Sequence, residues 1–376
     1  MNYMKKVIVK TSENSNNYPI FIGKNILKIL PMALKKYTTG TKKIAIIFDD
    51  NVPIKFKKLL KKLLKNYDVF FETTKFNEKN KNFNTVGKLL KKLLKKNLSR
   101  SDTLICVGGG IAGDVSSFVA SILKRGINFV NIPTTLLSQN DSSIGGKTGV
   151  NTDYGKNIIG TFYQPKFVII ETEFLKSLSK REILCGYAEI LKHAIIKDKR
   201  FFTWLNKNSK EILKLKNDKL LISAITKSCK VKRHFVLQDT LESNLRMQLN
   251  FGHTFAHSLE ALHGYSNKLN HGEAVLIGML LATKLSLIKK VCKIEDANKI
   301  FEHYKSQEIK FNLENIVPKN KINKIISLMI NDKKNNDNKI NFILLKKIGK
   351  TTSPGDHKLS TSELKKYFPK LINLNF

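Results

Sequence analysis

A glycine run between a strand-like and a helix-like segment constrains this chain more than any other feature. Gly108-Gly109-Gly110-Ile111-Ala112-Gly113-Asp114 follows the apolar run 103–107 and precedes the apolar run 115–123. G-x-G-x-x-G in that setting predicts a strand, a tight turn, and a helix whose N-terminus faces an anion such as a pyrophosphate. The plainer alternative is a tight strand-to-helix turn without a ligand. A dinucleotide fingerprint usually places an acidic residue about twenty positions further on. None stands there, and Asp49, closing an earlier strand-like run, is the better candidate for ribose hydroxyls.

The segments around that turn alternate. Residues 5–10 and 18–22 read as an antiparallel pair across a polar turn, and 43–48, 69–72, 103–107 and 128–132 as further strands, with a helix near 85–96. This predicts an α/β N-terminal domain with a Rossmann-like parallel sheet over residues 1–175. Beyond about 177 the pattern turns helical, over 181–196, 201–213, 219–238, 248–262 and 273–290, predicting a mostly α-helical C-terminal domain over 176–376. A chain of 376 residues is long enough for two substantial cores. With no evident window of 18 apolar residues, no membrane-spanning helix is expected. The first eight residues lack the shape of a signal peptide. Cys106, Cys185, Cys229 and Cys292 are widely spaced and form no C-x-x-C pair, a pattern that fits a reducing cytoplasm.

A formal charge of +37 invites a nucleic-acid reading. The distribution argues against it. Arginine is confined to Arg100, Arg125, Arg181, Arg200, Arg233 and Arg246, whereas nucleic-acid readers lean on Arg forks and interleaved aromatics. Lysine instead lies in amphipathic runs such as 57–65 and 89–96, which read as helices with an apolar stripe and a solvated face. Salt-sensitive adhesion to polyanions is expected, and specific nucleic-acid binding is not.

Two further blocks carry chemistry. Residues 132–157 hold hydroxyls, glycines and isolated lysines, including Thr134, Thr135, Asp141, Lys147, Lys156 and Asn157, as an anionic, hydroxylated ligand would need. Gly145-Gly146-Lys147-Thr148 resembles the end of a phosphate-binding P-loop, but Asp141 stands where that loop needs glycine. The second block sits in 249–273, where His253, His257, Glu260, His271 and Glu273 could bind or work beside a divalent metal. His253 and His257 stand four apart in a helix-forming run, and His271 opens the next apolar run, in a chain with eight His. An H-x-x-x-H pair alone is often structural, and Thr254 occupies the position where a zincin carries its base. Glu189, Lys192 and His193 share one face of another apolar helix, and a buried carboxylate there needs a partner. Glu189 with two of the three imidazoles would make a mixed N/O site suited to Zn²⁺ or a similar ion.

Together these residues resemble the 3-dehydroquinate synthase family. The resemblance rests on Gly-Gly-Gly-x-x-Gly-Asp at 108–114, Arg125-Gly126, and Pro-Thr-Thr-Leu-Leu-Ser-Gln-x-Asp-Ser-Ser-Ile-Gly-Gly-Lys-Thr at 133–148. It continues through Gly-Lys-Asn at 155–157, Phe-Tyr-Gln-Pro at 162–165 and Ala-Glu-Ile-Leu-Lys at 188–192. Asn-x-Gly-His-Thr-Phe-x-His at 250–257, His-Gly-Glu at 271–273 and Asp-Lys-Lys at 332–334 complete it. It implies a dehydroquinate synthase-like fold and an NAD-dependent enzyme with one Zn²⁺ or Co²⁺. Such an enzyme converts 3-deoxy-D-arabino-heptulosonate 7-phosphate into 3-dehydroquinate and phosphate, in the shikimate pathway. The implied chemistry is transient oxidation, phosphate elimination, re-reduction and aldol closure.

By that likeness Glu189, His253 and His271 hold the metal, and His257 is a catalytic or substrate-orienting residue. Lys147, Asn157, Lys192, Lys232, Arg246 and Asn250 hold substrate, with Lys333 or Lys334. Arg125 reaches the phosphate bound by a neighbouring subunit, which implies a homodimer. Asp49, Asn51, Glu78, Lys81, Gly109, Gly110, Asp114, Thr134 and Thr135 contact the nucleotide, with Asp141, Lys156 and Ser177 on the same surface. The competing readings are another sugar-phosphate cyclase, or a metal-dependent polyol dehydrogenase, which should lack the Ser-Ser-Ile-Gly-Gly-Lys block. The chain departs from the family at Tyr187, where a small or aliphatic residue is usual, at Leu178-Ser179 for Leu-Pro, and at Asn244 for Gly. His193 matches no family role and reads as a core or supporting residue.

Overall fold

The computed structural model describes residues 3–10, 17–332 and 339–373. The chain forms two compact units, one from residues 1–186 and 215–241, the other from 187–214 and 242–376.

The first unit is built on a seven-stranded sheet. Its strands are β1 (Met4–Val9), β2 (Tyr18–Gly23), β3 (Lys43–Asp49), β4 (Asp68–Thr74), β5 (Thr103–Gly108) and β6 (Asn128–Pro133); a hairpin of β7 (Val150–Thr152) and β8 (Gly155–Ile159) precedes the last, β9 (Phe167–Glu171). The order is β1-β2-β9-β6-β5-β3-β4, all parallel except β1, which pairs antiparallel with β2. β5 and β9 are buried at every position, as expected of strands covered on both faces. Helices α1 (Leu30–Tyr37), α2 (Ile54–Leu63), α3 (Phe83–Leu94) and α4 (Gly110–Ile122) follow strands and make the crossovers. Strand order reverses at β3: β4 lies on one side and β5 on the other, so the C-terminal ends of β3 and β5 flank the switch point where open α/β sheets bind ligands.

The expected α/β architecture with a helical C-terminal part is borne out. The division of the chain differs from a single boundary near 175. After α5 (Lys180–Lys197) and α6 (Lys199–Leu213), α7 (Asp218–Gln238) returns to the first unit, packing on β1, β2 and the 138–142 turn. Helical periodicity identifies α7 but says nothing about which sheet it covers.

The second unit centres on α8 (His253–Leu262) and α9 (His271–Ile288), with α10 (Ile294–Ser306), the short α11 (Leu313–Ile316), α12 (Ile322–Asp332) and α13 (Thr361–Ile372) around them. The expected helix over 248–262 is broken. A 3-10 turn spans Leu245–Asn250, and α8 starts afresh after Gly252, whose φ of +81° a side chain would strain. Gly252 also meets Gly278 backbone to backbone: a Cβ on Gly278 would lie 2.1 Å from the Gly252 carbonyl oxygen. α9 starts earlier than the apolar run suggests, because Asn270 and Glu273 form a capping box around its first turn. By length and mean hydropathy α9 is long and apolar enough to cross a membrane, although Glu273 and Lys284 interrupt it, so the sequence holds no unbroken window of 18 apolar residues. Its apolar residues are core residues, since 72% of the helix is buried within the fold.

Gly278→Ala should lower stability by at least about 1–3 kcal/mol through overpacking. A thermal-unfolding midpoint equal to that of the parent chain would show that α8 and α9 do not meet this closely.

Candidate active site

In the second unit, α5, α8 and α9 each contribute one donor to a common point. Glu189 comes from α5, His253 from the first position of α8, and His271 from the first position of α9. Their ligand atoms all lie within 4.8 Å of one another. Glu189 Oε1 is 3.5 Å from His253 Nε2 and 3.8 Å from His271 Nε2. The two rings are held from behind: His253 Nδ1 is 3.4 Å from the Phe251 carbonyl oxygen, and His271 Nδ1 is 3.1 Å from Glu260 Oε2. An acceptor behind each Nδ1 keeps the proton there and turns the Nε2 lone pair towards Glu189, the usual support for a metal-binding imidazole.

Glu189 is almost fully buried, and its Oε1 has no hydrogen-bond donor among the described residues. The Lys192 ammonium, one turn along α5, pairs with Oε2. Burial, with Lys192 and the other two imidazoles beside it, holds His253 well below the ordinary histidine range. Burial also opposes charge on His271, but the Glu260 and Glu189 carboxylates outweigh it and raise its pKa. A carboxylate oxygen with no donor facing two bare nitrogens fits a divalent cation. The His257 ring sits 5.3 Å from that of His253 and 6.4 Å from that of His271, beside the donor set rather than in it. Glu273 is committed to the cap of α9, accepting from the Asn270 amide at 3.0 Å. Nearby, Arg246 is buried with Glu242 Oε2 3.8 Å from its Nε, and the Asn250 amide reaches Glu242 Oε1 at 3.5 Å.

The first unit carries the other cluster. Gly108 ends β5 against Asp49 at the end of β3: a Cβ on Gly108 would lie 2.5 Å from that of Ala112 and 3.0 Å from that of Asp49. α4 begins at Gly110, five residues before the apolar run, with no side-chain cap, so its first-turn amides are available to an anion. Burial raises the Asp49 pKa, opposed by hydrogen bonds from Asn51 and from the Gly109 amide. Around this turn three lysines are each paired: Lys81 with Asp114 at 2.6 Å, Lys156 with Glu78 at 3.3 Å, and Lys232 with Asp141 at 2.6 Å. Lys81 also donates to Asn157 Oδ1, and Asn151 to Glu78 Oε1 at 2.7 Å. Thr134 donates its amide to Gly108, and Thr135 exchanges hydrogen bonds with Ser138. Lys147 lines a small polar cleft with Gly113 and Asp114.

Part of the polar block is structural rather than ligand-facing. Gln139 and Asn140 are fully buried and donate to the carbonyl oxygens of Pro133, Glu171 and Gly186. Ser177 caps its own turn through the Phe174 carbonyl oxygen. Lys333 and Lys334 lie outside the described residues.

The family model for the 3-dehydroquinate synthase N-terminal region matches residues 72–185, and the one for its C-terminal region matches 186–335. The chain belongs to the 3-dehydroquinate synthase family. A 3-dehydroquinate synthase from Pelagibacter ubique is 48% identical over 346 residues, covering 92% of this chain and 94% of that protein. Among solved structures, a 2-deoxy-scyllo-inosose synthase complexed with carbaglucose-6-phosphate, NAD⁺ and Co²⁺ superposes with a TM-score of 0.84 at 23% identity, over 98% of this chain and 99% of that one. A 2-epi-5-epi-valiolone synthase from Streptomyces hygroscopicus, with NAD⁺ and Zn²⁺ bound, does so at 0.81 and 24% identity, over 94% and 96%. At those identities the two share the fold with this member of the family.

Of two supporting carboxylates, the sequence reading counts Glu260 among the groups that could work beside a metal without pairing it with His271, and it passes over Glu242. Glu260 stands seven residues after His253 and three after His257, a helical spacing that placed it on their face. Glu242, four residues before Arg246, left only the weak signal of an i,i+4 charge pair.

In the metal-free protein, imidazole NMR titration should find His271 above 6.5, and Glu260→Gln should lower it. A raised folded pKa contributes stability that is full below the unfolded value and lost as pH rises through the folded one. The stability advantage of the parent over Glu260→Gln should therefore shrink as pH rises from the ordinary histidine value through the raised one of His271. An advantage that grows over that window would contradict the Glu260–His271 pair.

Proposed function

We propose that this chain carries out the reaction for which its family is named. A seven-carbon keto-acid phosphate, 3-deoxy-D-arabino-heptulosonate 7-phosphate, loses phosphate and closes to 3-dehydroquinate. The observation that carries the reading is the approach of one buried carboxylate to two imidazole Nε2 atoms within 4.8 Å, in a chain that matches the family in both its halves.

The donor set suits Zn²⁺ or Co²⁺, and the glycine turn with Asp49 behind it suits NAD; both accord with what the two fold relatives bind. When bound, the nicotinamide accepts and returns a hydride while the cation stabilises charge on the adjoining substrate oxygen. The chain's own residues do the remainder. Glu189, His253 and His271 would hold the cation, with Glu260 fixing the His271 ring and Lys192 offsetting part of the Glu189 charge. In the second unit Arg246, Asn250 and Lys192 are the candidates to hold anionic groups of the substrate; in the first unit they are Lys147, Lys232 and Asn157. His257, next to the donor set but outside it, is placed to orient substrate or move a proton. Asp49, Asn51, Glu78, Lys81, Asp114, Thr134 and Thr135 would hold the dinucleotide, with Lys156, Asp141 and Ser177 near it. The first unit is thus the nucleotide-binding part and the second the metal-binding part.

Arg125 supports a homodimer. Lys124 and Arg125 stand side by side at φ +53° and +60° on an exposed turn after α4, a strain of about 1–3 kcal/mol per residue. A cation presented at that cost suits a site on a second copy. We place the enzyme in the cytoplasm with a sugar phosphate as its small-molecule partner, and without a nucleic-acid or membrane partner.

The test is phosphate release from the heptulosonate phosphate in the presence of NAD⁺, beside sedoheptulose 7-phosphate and glucose 6-phosphate. Release should occur only with the heptulosonate, stop with a strong chelator, and return with Zn²⁺ or Co²⁺. His271→Ala should lower kcat at least about a hundredfold, since charge stabilisation by a metal contributes several kcal/mol. Preference for a rival sugar phosphate would favour another cyclase, and net NADH formation from a polyol a dehydrogenase.

A further inference from the structure

The core of the second unit holds a polar chain that the reaction does not use. Tyr187 is fully buried, and its hydroxyl lies 2.5 Å from Ser209 Oγ on α6 and 2.9 Å from His303 Nε2 on α10. On the other edge of the ring, His303 Nδ1 lies 2.6 Å from Asn206 Oδ1 on α6. The proton order follows from that end. The Asn206 carbonyl oxygen can only accept, so His303 Nδ1 carries a proton and Nε2 accepts from Tyr187. Ser209 donates its single proton to the Leu205 carbonyl oxygen, so the chain runs from Tyr187 to His303 to Asn206, with Ser209 Oγ set against the phenol oxygen. Burial, which lowers the His303 pKa to about 4, keeps the ring in the neutral form this order requires.

Tyr187 precedes Glu189 by two residues on α5. At about 100° per residue the two side chains leave opposite faces of that helix. One face carries the candidate ligand and the other is tied to α6 and α10. The magnitude matters: a roll of α5 by about 10° moves a group about 5–6 Å from the helix axis by about 1 Å. Metal sites tolerate about 0.2 Å.

We propose that Tyr187 and His303 are positioning residues that fix the roll of α5 and so aim Glu189 Oε1 at His253 and His271. This rests on the metal reading above, and the test separates the two. The full-length chain is stripped of metal and titrated with Co²⁺, following the visible absorption of the bound ion, with NAD⁺ affinity and thermal unfolding measured alongside. The parent chain should bind Co²⁺. Tyr187→Phe should weaken Co²⁺ binding about tenfold or more, the usual cost of losing a supporting hydrogen bond around a metal site, and alter the absorption band, with NAD⁺ affinity unchanged. His303→Gln, which keeps an acceptor for the tyrosine, should bind more tightly than His303→Phe. Adding His303→Phe to Tyr187→Phe should cost little more than either alone. If Tyr187→Phe does not fold, Ser209→Ala, which removes the oxygen set against the phenol, should show the same selective loss. Co²⁺ affinity within twofold of the parent for the folded Tyr187 or Ser209 variant would overturn the brace. Failure of the parent to bind Co²⁺ would overturn the metal reading first.

Discussion

The buried charge of Glu189 organises the second unit. A lone carboxylate taken out of water costs several kcal/mol, so it persists only where opposite charge meets it. Lys192, three residues on along the same helix, meets half of that need at Oε2. Oε1 instead faces two imidazole nitrogens whose protons are held on the far side of each ring. Three electron-rich atoms at one point repel one another, and a cation among them turns that repulsion into attraction. The scaffold is arranged to enforce the approach. Gly252 and Gly278 let α8 and α9 touch along their backbones, and the Asn270 cap starts α9 at His271. Both histidines therefore project from first helical positions, where a frayed or shifted start would move them by ångströms.

The first unit handles charge differently. Among the described residues the buried lysines are Lys81, Lys192 and Lys232, and each has a carboxylate within salt-bridge reach. The other described lysines behind the +37 net charge keep contact with solvent. At physiological ionic strength such charges are screened over about 8 Å. The composition is thus a poor guide to what the molecule does, whereas the few lysines taken out of solvent mark where an anion would be read. Burial raises the Asp114 pKa, and the Lys81 ammonium beside it opposes that rise.

Much of this was legible in the sequence, for reasons that differ by element. The strands of the parallel sheet show as short apolar runs because both faces are covered, and the glycine turn shows because neighbouring side chains leave no room for a Cβ at Gly108. Glu189 stood out as a carboxylate on an apolar helix face. Spacing alone could not choose between His257 and His271 as partners, because that choice depends on the crossing of α8 and α9. The break at Gly252 was hidden inside a continuous helical period, and the return of α7 to the first unit leaves no local trace. The partner that Glu260 takes and the role of Glu242 were not legible, since an exposed helical glutamate and one that orients a histidine are the same letter until the fold closes.

The helix that carries Glu189 is tied down at its start and along its far face. Ser179 caps α5: its hydroxyl and amide both reach Glu182, and the Glu182 amide returns to the Ser179 oxygen at 3.2 Å. That is a capping box at the start of the helix. Tyr187 places a phenol in a fully buried position, and a hydroxyl there without partners would cost about 1–3 kcal/mol. Ser209 and His303 supply those partners. Residues that only had to be tolerated on α5 would fill space; Ser179 and Tyr187 also add constraint to the element that holds the buried carboxylate.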